Sequence, residues 1–148
     1  MAFWRLYYHL VWATKERRPL IEPKQEPGLY NYIIGKADAL GCIAHAIGGI
    51  EDHIHLVVSI PPKLSIADFV KNIKGSSAYQ MNHLDPGQKK FGWQDGYGVF
   101  SMGKQQLDTV IAYVQNQKEH HSQGTEIASL EKMIHIDDRP QRQGFNTN

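Results

Sequence analysis

The sequence predicts an α+β fold of the ferredoxin-like type, an antiparallel sheet with two helices on one face and a further helix that follows it. Three observations carry this prediction: strand-like aromatic and β-branched segments, segments with apolar residues at helical spacing, and their order along the chain. That order is β-α-β-β-α-β and then one helix, which is the split βαβ arrangement. Residues 1–123 are predicted to form one domain and residues 124–148 a C-terminal tail.

The boundaries of these elements follow from capping and turn residues. Gly41 stands where a left-handed residue ends a helix, and Ser65 stands where a side-chain oxygen caps the start of one. Gly48 and Gly49 predict a turn or bulge between the second and third strands, and Asp85-Pro86-Gly87 ends the second helix. The predicted strands are 3–15, 42–47, 50–60 and 91–102, and the predicted helices are 29–40, 65–84 and 105–121.

Composition places the chain among single-domain globular proteins. Its 148 residues suffice for one buried core without disulfides, and its single cysteine, Cys42, fits a reducing cytoplasm. No apolar run approaches the ~20 residues of a membrane span, and no signal peptide is expected before the first strand. The net charge of +1 neither requires nor excludes nucleic acid, so any basic surface must be local.

The strongest candidate for a site is a pair of histidines within a buried-strand pattern. His53 and His55 point to one face of the strand, because side chains alternate along it, while Ile54 and Leu56 point to the other. Two imidazoles on one rigid face are half of a metal site. A pair of this kind is as often only a polar face, so the assignment needs a third ligand. By the same alternation Asp52 is expected on the opposite face and is not taken as a ligand.

A tyrosine and a glutamine on the last predicted helix can complete the pair. Tyr113 and Gln117 lie four residues apart, so they share a helical face about 6 Å apart along the axis. His53, His55 and Gln117 offer three neutral ligands with open positions, a set that suits Mg²⁺ or Mn²⁺ holding a phosphate oxygen. A closed zinc site would want four ligands, usually with thiolates. Beside a metal-bound phosphate Tyr113 can act as a nucleophile, although an ordinary tyrosine has a pKa near ~10.

Several segments together resemble the small single-tyrosine HUH transposases of bacterial insertion sequences and the REP-associated tyrosine transposases. HUH denotes two histidines separated by a hydrophobic residue, here His53, Ile54 and His55. The resemblance runs from about residue 3 to residue 121 and fades beyond Gly124. The other matching segments are 8–15 with 17–19, 69–76, 91–101, and 113–117 with 119–121.

The resemblance implies a metal-dependent transposase that cleaves and rejoins single-stranded DNA at hairpin-marked element ends. Tyr113 would attack a phosphodiester, form a 5′-phosphotyrosine and release a 3′-hydroxyl, and the histidine pair with Gln117 would hold Mg²⁺ or Mn²⁺. The covalent linkage keeps the free energy of the phosphodiester, so no ATP is required. The resemblance also implies a homodimer in which the tyrosine helix of one chain serves the histidine pair of the other. Gly103, just before that helix, and the helix's apolar face agree with such an exchange.

Five basic residues are candidates for contacts to DNA phosphates. Each is equally consistent with a solvated charged surface, and Trp93 and Tyr97 can either stack on bases or pack in the core. The five candidates are Lys15, Arg17 and Arg18 at the end of the first strand and Lys71 and Lys74 on the second helix.

Two other functions remain open at this point. One is a non-catalytic single-stranded nucleic-acid-binding domain, which would have no reason to retain the histidines, the tyrosine and the glutamine together. The other is an HUH replication initiator or relaxase-like nickase, a class whose members are usually larger and often multidomain. A covalent protein–DNA adduct would exclude the first alternative, and origin nicking would favour the second.

Overall fold

The structure is a computed structural model that describes residues 2–84 and 90–131. Its strands and helices are β1 (Tyr7–Ala13), α1 (Glu26–Ala39), β2 (Ile43–Ile50), β3 (His53–Ser59), α2 (Ile66–Leu84), β4 (Gly98–Met102), α3 (Lys104–Gln115) and α4 (Gln117–Gln123). Short 3₁₀ turns occur at Lys15–Arg17 and Ala128–Leu130. The four strands form one sheet in the order β2-β3-β1-β4.

Antiparallel pairing throughout this sheet confirms the predicted ferredoxin-like α+β class. The two central strands are β3 and β1. In their register His9 pairs with Val57, and Val11 pairs with His55. Because directly paired residues share a face, His9 and His55 are diagonal neighbours on one side of the sheet.

The two faces of the sheet carry different chemistry. One face packs against α1 and α2 in the main core, where Trp12 and Phe69 have no exposed surface. Burying a large apolar side chain of this kind stabilises a fold by about 1.5–3 kcal/mol. The other face carries the histidines and a small apolar cluster that includes Ala46, Val57 and Val114, and α3 packs against this face. The main core therefore supports the fold, and the second face is left for a site.

The hairpin between β2 and β3 differs from its prediction. Gly48 and Gly49 lie inside β2, paired with β3, and the chain turns at Glu51 and Asp52. Glycine predicted a turn here, but Gly48 serves a close approach of a helix, as shown below. The predicted strand 91–102 is also shorter, because only β4 pairs as a strand of the sheet.

The predicted tyrosine helix, 105–121, is two helices. The backbone of Asn116, with φ of −104° and ψ of 26°, separates α3 from α4. Two predicted helix ends agree with the structure. Ser65 Oγ accepts a hydrogen bond from the backbone N–H of Asp68 at 3.0 Å, and Gly41 follows α1 with a φ of 79°.

Part of the prediction lies outside the described residues. This applies to the helix-ending segment 85–87 and to 132–148 of the predicted tail. Within the described ranges, no helix is long and apolar enough to cross a membrane.

Candidate active site

The two histidines of β3 lie mid-sheet with no exposed surface. His53 Nδ1 donates to Asp52 Oδ1 at 2.7 Å, and its Nε2 lies on the side of α4. Asp52 precedes β3 in the turn, so strand alternation does not govern it, and the expectation that it points away from the pair was wrong. Its carboxylate fixes the orientation of the His53 ring, as carboxylates commonly do for metal-binding histidines.

A third buried histidine, His9 of β1, contacts this pair and was missed by the sequence analysis. Its Nε2 lies 2.6 Å from His55 Nδ1, and the two rings stack with 4.9 Å between their centroids. His9 Nδ1 has no hydrogen-bond partner among the described residues. The sequence does show a histidine in the first predicted strand. It does not show the β1–β3 register that brings this histidine to His55.

Both residues predicted on the last helix lie at the site, Tyr113 in α3 and Gln117 at the start of α4. Gln117 is 1% exposed, and its Oε1 lies 3.3 Å from His53 Nε2. Tyr113 is 4% exposed. Its ring meets His55 edge-on at 6.0 Å between centroids and stacks on His120 at 4.7 Å. The structure thus brings together, within one chain, the four residues predicted for metal binding and nucleophilic attack.

Close packing of α3 against β2 holds the tyrosine over the histidines. A Cβ atom at Gly48 would lie 2.0 Å from the carbonyl oxygen of Val114, so glycine is required for this approach. Lys118 of α4 pairs with Glu26 at 2.6 Å and donates to the carbonyl oxygen of Gly49 at 3.2 Å. These contacts attach both helices to their own sheet.

A carboxylate beyond the predicted domain, Glu131, reaches the centre of the site. Its Oε1 lies 3.0 Å from His55 Nε2, 3.1 Å from His53 Nε2 and 3.3 Å from His121 Nε2. Its Oε2 accepts a hydrogen bond from the Tyr113 hydroxyl. Glu131 belongs to the predicted tail, a polar and weakly periodic segment in which no sequence signal points to this residue.

Buried charges shift the pKa values of these groups. Burial alone would lower the pKa of His53, but hydrogen bonds and charge interactions with Asp52 and Glu131 raise it to about 9. The pKa of Tyr113 is raised to about 12, mainly because the hydroxyl is buried and to a smaller extent because it donates a hydrogen bond to Glu131. Burial works against ionisation of Glu131, yet hydrogen bonds from His53 and His55 hold its pKa well below its usual range. Burial lowers the pKa of His55. At neutral pH His53 is therefore charged, and Tyr113 keeps its proton.

The donor set fits a divalent metal ion. His53, His55 and Glu131 offer ligand atoms that all lie within 4.8 Å of one another. Adjacent ligands of an octahedral ion at about 2.1 Å lie about 3.0 Å apart. The distances of 3.0 and 3.1 Å from Glu131 Oε1 to the two Nε2 atoms match this spacing. Gln117 Oε1 adjoins the same group and can add an oxygen ligand.

Three of the predicted phosphate contacts already have partners within the chain, and one of them is Arg18, which is exposed and pairs with Glu16 at 2.7 Å. Arg17 lies nearest the site, with its guanidinium 3.7 Å from Asp52 Oδ1. Lys74 donates to the carbonyl oxygens of Gln94 at 2.6 Å and Gly96 at 3.1 Å, so it supports a neighbouring loop. Burial lowers the pKa of Lys74.

The remaining candidates for DNA contact lie at the surface or against the core. Lys15 and Lys71 are exposed. Trp93 and Tyr97 are partly buried and both pack against the main core. Core packing was one of the two roles that the sequence left open for these aromatic residues.

Comparison with known proteins identifies the family. Residues 2–117 match the family described as IS200-like transposases. The chain belongs to this family. It is 29% identical over 119 residues to the ISDra2 transposase TnpA of Deinococcus radiodurans, an alignment that covers 77% of this chain and 85% of that protein. This IS200-like transposase is thus a DNA-processing enzyme, and the resemblance drawn from its motifs is confirmed.

Solved structures agree with the fold. A transposase from Deinococcus radiodurans superposes with a TM-score of 0.63 at 25% identity, covering 86% of this chain and 95% of that chain. A REP-associated tyrosine transposase bound to a REP hairpin superposes with a TM-score of 0.59 at 16% identity, covering 85% and 76% of the two chains. The second likeness supports the fold alone.

Proposed function

We propose that this transposase cleaves and rejoins single-stranded DNA through a covalent 5′-phosphotyrosine on Tyr113. The observation that carries the proposal is the burial of the Tyr113 hydroxyl in one cluster with His53, His55 and Gln117. Burying polar side chains costs free energy unless they are paired, and a domain that only binds DNA would gain nothing from placing them on an inner sheet face.

The side chains of this cluster divide the work of strand transfer. In cleavage, a bond forms between the Tyr113 oxygen and phosphorus, the bond from phosphorus to the 3′-oxygen breaks, and that oxygen takes up a proton. Glu131 Oε2 accepts the hydrogen bond of the Tyr113 hydroxyl and orients it, and the proton that Tyr113 loses balances the one that the departing 3′-oxygen takes up. In rejoining, a 3′-hydroxyl from another cleaved end attacks the phosphotyrosine, and the tyrosine leaves with a proton.

The proposed cofactor is Mg²⁺ or Mn²⁺, held by His53, His55 and Gln117 as the sequence predicted, together with Glu131, whose Oε1 lies within 3.1 Å of both Nε2 atoms. When bound, such an ion draws charge from the phosphate and orients it. Oxygen ligands suit both ions, whereas imidazole ligands suit transition metals better, so this mixed set favours Mn²⁺ over Mg²⁺. Ring orientation comes from the neighbours of the two histidines, because Asp52 occupies the second nitrogen of His53.

The proposed substrate is single-stranded DNA folded into hairpins at the ends of the element. A protein of the same fold, the REP-associated tyrosine transposase, was solved bound to a REP hairpin. Lys15 and Lys71 are exposed and are the first candidates for its phosphates, while Arg17, Arg18 and Lys74 each also hold a partner within the chain. Action on the element's DNA implies a cytoplasmic location.

We also propose a homodimer with the tyrosine helix exchanged between chains. The described chain forms its site in cis, with α3 on its own sheet. Exchange would preserve the same helix–sheet contacts with a second copy, as in domain swapping. Gly103, the proposed hinge, has an ordinary extended φ of −83° at the start of α3.

Complementation distinguishes exchange from a site in cis. Chains carrying His55→Ala are mixed with chains carrying Tyr113→Phe, and each homodimer should be inactive. Exchange gives the heterodimer one complete site, so activity returns. If native mass spectrometry shows heterodimers and the mixture stays inactive, the exchange proposal is wrong.

The covalent step is tested with hairpin oligonucleotides taken from the DNA that flanks this reading frame. Tyr113→Phe should bind them but form no adduct that survives denaturing electrophoresis, and EDTA should stop adduct formation by the native chain. Tyr79→Phe, at a tyrosine that is 63% exposed, is the matched control and should retain the adduct. Mapping of the adduct by mass spectrometry to any residue other than Tyr113 would refute the assignment.

A further inference from the structure

The Tyr113 hydroxyl has a hydrogen-bond donor to which the chemistry above gives no role. The backbone N–H of Ile127 donates to the hydroxyl oxygen at 2.9 Å, while the hydroxyl itself donates to Glu131 Oε2. Tyr113 is 4% exposed, so water has little access to compete for this oxygen. A backbone amide therefore touches the atom that the proposed function makes the nucleophile.

The turn that ends α4 brings Ile127 to this position. Gly124 follows α4 with a φ of 68°, in the left-handed region that glycine adopts without strain, so the helix ends and the chain turns. Thr125 then attaches the turned chain to α4. Its N–H donates to the carbonyl oxygen of His120 at 2.8 Å, and its Oγ1 lies 2.9 Å from His120 Nδ1. The Ile127 N–H comes two residues later and reaches Tyr113 of α3.

The segment is also anchored beyond Ile127. The Ile127 carbonyl oxygen accepts a hydrogen bond from the Leu130 N–H at 2.9 Å, at the 3₁₀ turn Ala128–Leu130. Leu130 packs against the small apolar cluster that includes Val57 and Val114. Because contacts on both sides fix the backbone, the N–H is a preorganised donor. Such a donor needs no rearrangement when charge develops on the oxygen that it faces.

Strand rejoining is the step in which the Tyr113 oxygen becomes a leaving group. The incoming 3′-oxygen forms a bond to phosphorus and gives up its proton. The bond from phosphorus to the tyrosine oxygen breaks, its electron pair stays on that oxygen, and the oxygen takes up a proton. In the phosphotyrosine the oxygen has no proton to donate to Glu131. The Ile127 N–H requires no proton on Tyr113, so this contact is compatible with every state of the cycle.

The strength of such a hydrogen bond changes along the reaction. A bridging ester oxygen is a weak acceptor and a phenol oxygen is a better one. An oxygen that develops negative charge is the best, because hydrogen bonds to charged acceptors are about twice as strong as neutral ones. Only an interaction that strengthens in the transition state lowers the barrier. The donor therefore helps rejoining, which starts from the ester, more than cleavage, which starts from the phenol.

We infer that the Ile127 backbone N–H is a catalytic hydrogen-bond donor that stabilises the departing Tyr113 oxygen when the DNA strands are rejoined. The inference rests on the proposed function, because it assigns a role within the same covalent cycle. It gives residues 124–131, part of the predicted tail, a role in the chemistry. Without this donor the phosphotyrosine should still form and should then persist.

The test removes the N–H and follows the two steps separately. One variant replaces Ile127 by its α-hydroxy acid, which exchanges the N–H for an oxygen and keeps the side chain, and the second is Ile127→Pro, which also lacks the N–H. The adduct with a hairpin oligonucleotide from the flanking DNA is formed in Mn²⁺, isolated, and mixed with an excess of the released strand that ends in the 3′-hydroxyl. Its decay should slow about 100-fold, as for the loss of one oxyanion donor. Adduct formation should slow by no more than about 10-fold, the value of one neutral hydrogen bond.

The same two replacements at Ala128 are the matched controls. Ala128 is exposed and opens the 3₁₀ turn, a position at which proline is tolerated, and the Ile127 N–H stays in place. Decay as fast in the Ile127 variants as in the Ala128 controls would overturn the inference. Equal slowing of both steps would also overturn it, because a misplaced tyrosine gives that result. In both cases adduct formation by the native chain upholds the proposed function, whereas a native chain that never forms an adduct would refute both.

Discussion

Metal binding should release a proton from His53. The pKa of this histidine is raised to about 9 because Asp52 and Glu131 outweigh the effect of burial. Its Nε2 must lose its proton before it can bind an ion, so the ion competes with that proton. At pH 7, two units below the pKa, only about 1 in 100 chains has a neutral His53, which weakens apparent binding by about 2.7 kcal/mol.

The sign of the pH dependence follows directly. Apparent affinity for Mn²⁺ should rise about 10-fold per pH unit between pH 6.5 and 8.5 and level off near pH 9. In the absence of an ion, the same raised pKa makes the folded chain more stable at low pH than at high pH. A raised folded-state pKa stabilises the metal-free chain fully below pH 6.5, and this contribution of about 3 kcal/mol at most is lost as the pH rises through 9.

Isothermal titration calorimetry with Mn²⁺, in buffers of different ionisation enthalpy, measures the apparent affinity and the number of protons released per ion. Close to one proton should be released per ion at pH 7. Asp52→Asn removes a charge that holds the proton, so it should reduce the release and flatten the slope, whereas Asp108→Asn should change neither. Binding that is intact but independent of pH, with no proton released, would refute the charged state of His53.

Three further predictions concern the contacts that hold the site. His9→Phe removes the partner of His55 Nδ1 and should weaken Mn²⁺ binding about 10- to 100-fold, with His83→Phe as the surface control. Equal Mn²⁺ affinities of the two variants would show that His9 does not orient the His55 ring. Glu131→Gln should weaken Mn²⁺ binding at least about 10-fold, while Glu126→Gln should not, and matching titrations would exclude Glu131 as a ligand. Gly48→Ala should lower the free energy of unfolding, measured in urea, by about 1–3 kcal/mol, because its Cβ meets the Val114 carbonyl. Gly35→Ala, which has open space around it, should not destabilise the chain. An unchanged urea midpoint for Gly48→Ala would contradict the close approach.

Periodicity and short motifs predicted the fold and the four residues, His53, His55, Tyr113 and Gln117, that the structure brings together at the candidate site. Strand alternation places His53 and His55 on one face, because both lie in β3. Tyr113 lies beside Gln117 as the spacing of four predicts, although the break at Asn116 puts the two residues in α3 and α4. The order of elements then predicts the sheet. These inferences needed no knowledge of how distant segments pack.

Residues that reach the site only through packing between distant segments could not be predicted from the sequence. His9 reaches His55 only through the β1–β3 register, and Glu131 arrives through the segment after α4, where no periodicity marks it. Gly48 was misread for a related reason. Glycine is expected in turns and also where another backbone comes close, and only the position of Val114 decides between the two.

The charges of the site explain how one cluster can be buried with or without an ion. In the metal-free chain, protonated His53 lies between the carboxylates of Asp52 and Glu131, so neither negative charge is buried alone. An unpaired buried charge would be strongly destabilising. A divalent ion held by the same groups would replace the Nε2 proton of His53 and bring one more positive charge to Glu131. We therefore expect the two states to differ by an exchange of cations, with β3 and the turn before it unchanged. Removal of the ion should abolish strand cleavage and leave the circular dichroism spectrum of the chain unchanged, and unfolding in EDTA would show that the ion is needed for the fold itself.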